Sequence, residues 1–113
     1  MSSKKKLLFV CTANQQRSPT AEGLFRNSER YEARSCGVYA LSFTPCDDSL
    51  IEWADIIFCM EEHHRRALLK RHPAATDKKI VVLDIPDIYL RDAPELILQL
   101  RQRLAPYLGD WQS

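Results

Sequence analysis

No sign of charge dominates this chain, and no apolar run in it is long enough to enter a bilayer. No two of its cysteines stand at the C-x-x-C spacing of a zinc or redox site. The formal net charge over 113 residues is +1, which excludes the broad basic field that holds a nucleic acid by its phosphates. The single basic run, Lys4-Lys5-Lys6, leads straight into an apolar stretch and reads as part of a solvated arm over residues 1–5. That apolar stretch, Leu7 to Cys11, is too short for a signal-peptide core or a membrane span, so the expected location is the cytoplasm. Internal repeats and low-complexity tracts are also missing. The length therefore supports one domain, 1–113, large enough to bury a core.

Four cysteines, Cys11, Cys36, Cys46 and Cys59, are scattered along the chain. They are too sparse for a disulfide scaffold and lack the clustered partners of a zinc site, so no metal or cofactor is expected. In a reducing compartment such thiols serve as small buried hydrophobes. That is the reading for Cys36, Cys46 and Cys59.

What the chain does have is alternation of strands and helices. Leu7-Leu8-Phe9-Val10 is a continuous apolar run, as in a strand buried on both faces of a parallel sheet. Ser18 can cap a helix with Pro19 in its first turn, and Ala21, Leu24, Phe25 and Ser28 follow at helical spacing. Tyr31 to Ser35 reads as a strand closed by Gly37, Leu50 to Trp53 as a brief helix, and Asp55 to Cys59 as a strand before a charged helix reaching about Lys70. Arg71 to Lys79 reads as a surface loop, Ile80 to Leu83 as the last strand. A helix from near Asp92, with Leu96, Ile97, Leu100 and Leu104 on one face, should end where Pro106 disturbs it. The fold class is α/β, a doubly wound parallel sheet with helices on both faces. Ligands in such folds sit beyond the carboxyl ends of the strands, so functional residues should follow Val10, Cys59 and Leu83.

Directly after the first strand stands Cys11-Thr12-Ala13-Asn14-Gln15-Gln16-Arg17-Ser18, a C-x5-R-S segment between a strand and a helix N-terminus. A loop of this length can wrap one phosphate with successive backbone N–H groups, and the helix adds its positive dipole end. Arg17 can donate two parallel hydrogen bonds to phosphate oxygens. The same field stabilises a thiolate at Cys11, toward which Ser18 can direct its hydroxyl. A second C-x5-R match, Cys59 to Arg65, also follows a strand, but Glu61 and Glu62 inside it should repel a phosphate dianion. Cys59 therefore reads as a buried strand end, and His63 and His64 as surface residues.

The stretch Leu7 to Glu22, with Phe9-Val10-Cys11, Asn14, Arg17-Ser18-Pro19 and Ala21-Glu22, resembles the signature of the low-molecular-weight protein tyrosine phosphatases. Arg34-Ser35-Cys36-Gly37, Ala54 to Ile57 with Met60-Glu61, and Ile85-Pro86-Asp87 are similar to further parts of that family. The resemblance is to a shortened branch described as predicted protein tyrosine phosphatases. It implies a four-stranded sheet in the order 2-1-3-4 and metal-free, two-step hydrolysis through a phosphocysteine. Thr12, Ala13, Asn14, Gln15, Gln16 and Ser18 would hold the substrate's phosphate, with Asn14 bracing the loop and Ser18 assisting the thiolate. The family has glycine where Ala13 stands, a residue that does not take positive φ cheaply. Many members carry a cysteine where Gln16 stands, so their redox switch should be missing.

One carboxyl must protonate the leaving oxygen and then activate water. Among Asp84, Asp87 and Asp92, the Ile85-Pro86-Asp87 context best matches the family's acid, while Asp92 suits a helix cap. Tyr89 and Tyr39 are open between substrate contact and packing, and Ser35 between a turn and a hydrogen bond to the loop. Trp53 is assigned to the core. The expected partners are a phosphorylated protein or a small phosphate ester, with no nucleic acid and no membrane. Competing readings are a non-catalytic phosphate-binding domain and, further back, an arsenate reductase, which needs late cysteines that this chain lacks beyond Cys59.

Overall fold

Side-chain alternation along the first strand divides the protein into two layers. In the computed structural model, which describes residues 4–109, β1 runs from Lys5 to Cys11. Leu7, Phe9 and Cys11 enter one apolar cluster and Leu8 and Val10 the other, because neighbouring strand side chains point to opposite faces. Both sets are buried, so the strand must be covered on both sides. It is paired on both edges as well. β2 (Tyr31–Gly37) lies against one edge and β3 (Ile56–Cys59) against the other, with β4 (Lys79–Val82) beyond β3. All pairings are parallel and the order is β2-β1-β3-β4, the doubly wound arrangement that the resemblance implies.

One face is covered by α1 (Arg17–Gly23) and α4 (Pro94–Leu108), whose Ala21, Leu96, Leu100 and Leu104 meet Phe9 and Phe58. The rings of Phe9 and Phe25 stack at 5.7 Å and those of Phe9 and Phe58 at 5.4 Å. The other face carries α2 (Asp48–Trp53) and α3 (Glu62–Arg71), which bury Ile51 and Leu68 against Leu8, Val10 and Ile57. Trp53 is only half-buried, with the Arg34 guanidinium 4.5 Å above its ring, a cation–π contact at the edge of the core.

Several boundaries differ from the sequence reading. Lys5 and Lys6 belong to β1 and not to an arm: Lys5 pairs with Tyr31, and the Lys6 amide donates to Asp55 Oδ2 at 2.8 Å. Residues 1–3 of the expected arm lie outside the described residues. Helix α1 starts at Arg17, which places Ser18 inside the first turn and not at the cap. Within 71–79 a single 3-10 turn, Pro73–Asp77, buries Ala75. α4 runs through Pro106 to Leu108, since a proline this near the end forfeits little while Leu104 and Leu108 stay anchored in the core. Among the described residues no helix is long and apolar enough to cross a membrane.

The largest correction concerns the thiols. Cys36 and Cys46 are joined in a disulfide, not held apart as structural thiols. Segment 37–46 doubles back so that Gly37 N–H meets Thr44 O at 2.9 Å and Cys46 N–H meets Gly37 O at 3.0 Å, which brings the two sulfurs together. Cys59 is fully buried as expected, and that burial pushes its thiol up to about 12. At neutral pH it carries almost no thiolate. Treating the native, non-reduced protein with iodoacetate near pH 7 should therefore add one carboxymethyl group, on Cys11. Peptide mapping that finds Cys59 modified at a comparable rate contradicts this account of the core.

Candidate active site

β1 delivers Cys11 to the carboxyl edge of the sheet, and the chain then loops over residues 12–16 into α1. The carbonyls of the loop are turned toward the disulfide-closed segment. Cys11 O accepts from Val38 N at 2.9 Å, Thr12 O from Tyr39 N at 2.9 Å, and Ala13 O from Phe43 N at 3.3 Å. A planar peptide points its N–H opposite its C=O, so the amides of Thr12, Ala13 and Asn14 face the other way. Gly37 permits this close approach: a Cβ there would lie 2.6 Å from Thr12 O and collide with Ser42. Positive φ falls not on Ala13 but on Asn14, at 58°, a residue type that tolerates the left-handed region.

Side-chain hydrogen bonds fix the Cys11 sulfur. Asn14 is buried and its Nδ2 donates to Ser18 Oγ at 2.8 Å and to Ser35 Oγ at 2.9 Å. Ser35 in turn donates to Glu22 Oε1 at 2.5 Å, so it bonds to the loop from within β2. Ser18 Oγ lies 2.9 Å from Cys11 Sγ. With its oxygen already accepting from Asn14, the Ser18 hydroxyl has one hydrogen to give, and the sulfur at 2.9 Å is a nearer acceptor than Cys36 O at 3.5 Å.

Arg17 is 2% exposed. Its Nη1 donates to Glu61 Oε2 at 2.6 Å and to Ile85 O at 2.8 Å, and its Nε lies 3.9 Å from Asp87 Oδ1. Guanidinium has five N–H donors, so the Nη1 edge is anchored while three donors remain for a ligand. Glu61 thus does the opposite of what the sequence reading assigned to it. Burial resists its ionisation, yet hydrogen bonds from Arg17 and His63 and their charges hold its carboxyl below the usual range. His64, read as a surface residue, is fully buried, with Nε2 2.8 Å from Thr12 Oγ1 and Nδ1 accepting the Glu61 amide at 3.0 Å. His63 is exposed, as expected.

A cavity of about 140 Å³ opens here, lined by Cys11, Thr12, Ala13, Gln15, Gln16, Arg17 and Asp87. Of the three aspartates only Asp87 lines it. Asp84 and Asp92 are exposed and have positive φ, 57° and 62°. Asp92 does not cap α4, whose N-cap position is Ala93. The Asp92 and Arg91 amides instead bond to Thr20 Oγ1 and Gln16 Oε1, tying the 87–92 segment to the loop. Tyr89 packs against the core, and Tyr39 is half-exposed beside a different cavity; neither lines this one. Glu61 and His64 were the residues missed. The E-x-x-H spacing at the start of a charged helix, a capping-box pattern, was their signal.

Burial, aided by the charges of His63 and Arg17 and opposed by Glu61, lowers His64 from 6.5 to about 3. In the unfolded chain the ring takes its proton below about 6.5. Between those values the unfolded state binds more protons, so stability falls as pH drops from about 6.5 toward 3. Urea midpoints should decline through that window in the wild type and decline less in His64→Gln. Identical pH slopes for the two proteins contradict the assignment.

No family model matches the chain. A curated relative, a protein-arginine-phosphatase of Geobacillus stearothermophilus, is 28% identical over 65% of this chain and 66% of its own length, just under two thirds. A solved structure of the YwlE arginine phosphatase, a cysteine-to-serine mutant with a phosphorylated active-site serine, is 25% identical and superposes with a TM-score of 0.69, covering 93% of this chain and 96% of that one. The low-molecular-weight protein tyrosine phosphatase of Streptococcus pyogenes shares the fold at 20% identity, with a TM-score of 0.76 over 96% of this chain and 94% of its own. With its C-x5-R-S loop, its sheet order and these likenesses, the chain has the fold of the low-molecular-weight protein tyrosine phosphatases and is similar to them in sequence.

Proposed function

We propose that the protein hydrolyses phosphate monoesters carried by protein side chains, through a phosphocysteine at Cys11. The observation that carries this is a sulfur held 2.9 Å from the Ser18 hydroxyl, in a cavity closed by a buried arginine and one carboxylate. The phosphate rests on the amides of Thr12, Ala13 and Asn14 and on the free edge of Arg17, with Gln15 and Gln16 on the rim. Cys11 thiolate attacks phosphorus, and the P–O bond to the leaving group breaks while Asp87 gives that oxygen its proton. Asp87, now a carboxylate, removes a proton from water as the water attacks phosphorus. The P–S bond breaks and the thiolate returns to the Ser18 hydroxyl. Positioned charge does most of the work in phosphoryl transfer, and here Arg17 and the loop amides supply it.

The family resemblance favours phosphotyrosine-type esters. Phosphoarginine is a second reading, favoured by the names of the curated relative and of the YwlE structure. The sequence-based expectation of a cytoplasmic setting adds a condition, because a reducing pool acts on the Cys36–Cys46 bond.

Wild type should turn over an aryl phosphate, and Cys11→Ser should not. Arg17→Ala should lose about 10²–10³-fold in kcat/KM. Asp87→Ala should lose about 10²–10⁴-fold on an alkyl phosphate and far less on a nitrophenyl ester, whose leaving group needs no proton. If Asp92→Ala shows that leaving-group dependence and Asp87→Ala does not, the acid is misassigned. Parallel assays on phosphotyrosine and phosphoarginine peptides decide the substrate class.

A further inference from the structure

The backbone amide of Glu61 can only donate, so His64 Nδ1, 3.0 Å away, must be an unprotonated acceptor. A neutral ring then carries its single proton on Nε2. That nitrogen faces Thr12 Oγ1 at 2.8 Å, so the ring donates and the threonine oxygen accepts. Thr12 still has its own hydrogen, which cannot return to the ring, and no acceptor for it is found among the described residues. Thr12 is exposed to the cavity that Cys11 and Arg17 line. We infer that His64 is a positioning residue, which fixes the Thr12 hydroxyl so that its O–H is donated to an oxygen of the phosphate beside Cys11. This rests on the phosphate-binding reading of that loop.

The same helical turn performs two tasks. Glu61 anchors Arg17 from one side, and His64, three residues on, anchors Thr12 from the other. His63 packs on the His64 ring at 4.0 Å between centroids and completes its burial. One end of α3 thereby orients donors on both flanks of the cavity.

Two amide replacements separate this role from helix capping. Asparagine reaches the position of Nδ1 and can accept the Glu61 amide but falls short of Thr12, whereas glutamine reaches the position of Nε2. The readout is protection of Cys11 from iodoacetate by inorganic phosphate, which needs no turnover, followed by kcat/KM on an aryl phosphate. His64→Asn and Thr12→Val should each weaken protection and kcat/KM about tenfold, the loss of one hydrogen bond to an anion. Their combination should be no worse than either alone. His64→Gln should stay within about threefold of wild type. The pH profile of Cys11 alkylation without phosphate should be the same in all of them.

The inference is overturned if His64→Asn matches His64→Gln, if the two losses add, or if the alkylation profile shifts in place of phosphate protection. Should the His64 variants fail to fold by circular dichroism, Thr12→Val at the cavity surface decides alone, and unchanged protection there is fatal. Protection without turnover in wild type removes the enzyme reading and leaves this one standing; no protection at all removes both.

Discussion

The Asn14 side chain is the joint on which the site turns. A primary amide has two hydrogens, and here one goes to Ser18 and the other to Ser35. Each serine oxygen is therefore an acceptor, and each serine hydrogen must leave in another direction. For Ser35 that direction is the Glu22 carboxylate, and for Ser18 it is the Cys11 sulfur. The chain of bonds runs from the Glu22 carboxylate to the Cys11 sulfur. A buried network satisfied in this way is rigid, while one missing member would leave several polar groups without partners at once. The left-handed backbone at Asn14 belongs to the same device, because it aims the side chain inward from the crown of the loop.

Around that joint the loop is gripped by three segments distant in sequence. The disulfide-closed stretch after β2 takes its carbonyls, the first turn of α3 takes Thr12 and Arg17, and the 87–92 segment ties to Gln16 and Thr20. The pairing of Arg17 with Glu61 follows from burial. A guanidinium at 2% exposure needs a counter-charge. Glu61 supplies it on the Nη1 edge and leaves the opposite edge to the ligand. A carboxylate near the Cys11 loop is thus tolerated because it faces the cation first.

Local signals carried most of the fold. Unbroken apolar runs marked β1, β3 and β4, Gly37 marked the end of β2, and strand–helix alternation gave a parallel sheet. The C-x5-R-S segment marked the loop because its cysteine, its arginine and the peptides between them lie within eight neighbouring residues. What could not be read were partnerships made across the fold. Nothing local says that Glu61 meets Arg17 from 44 residues away, or that His64 meets Thr12 from 52. Adjacent histidines on a helix face different ways. One of those ways was inward, and polarity alone hid it. Cys36 and Cys46 were misread for a related reason: sparse cysteines suggest free thiols until the chain between them is known to double back. Pro106 was overweighted because the buried leucines on either side of it outweigh one lost backbone bond.

The second C-x5-R match shows how topology gives similar residues different work. In the order β2-β1-β3-β4 the chain passes from β1 to one side and returns on the other, so a crevice opens at the carboxyl end of β1. Cys11 ends the strand beside that crevice. Cys59 ends the neighbouring strand on the covered face, among Leu8, Val10 and Leu68, where burial pushes its thiol up to about 12. Its loop contributes through what comes next: two residues on, Glu61 crosses to Arg17, and five residues on, His64 crosses to Thr12. The repeated spacing is therefore a chance match in which the cysteine is inert and the intervening acid and histidine serve the first loop. Glu61 argued against a phosphate site within its own loop, and His64 stood as a surface residue. The same residues argue for one across the crevice, where each faces a donor that has to be held in place.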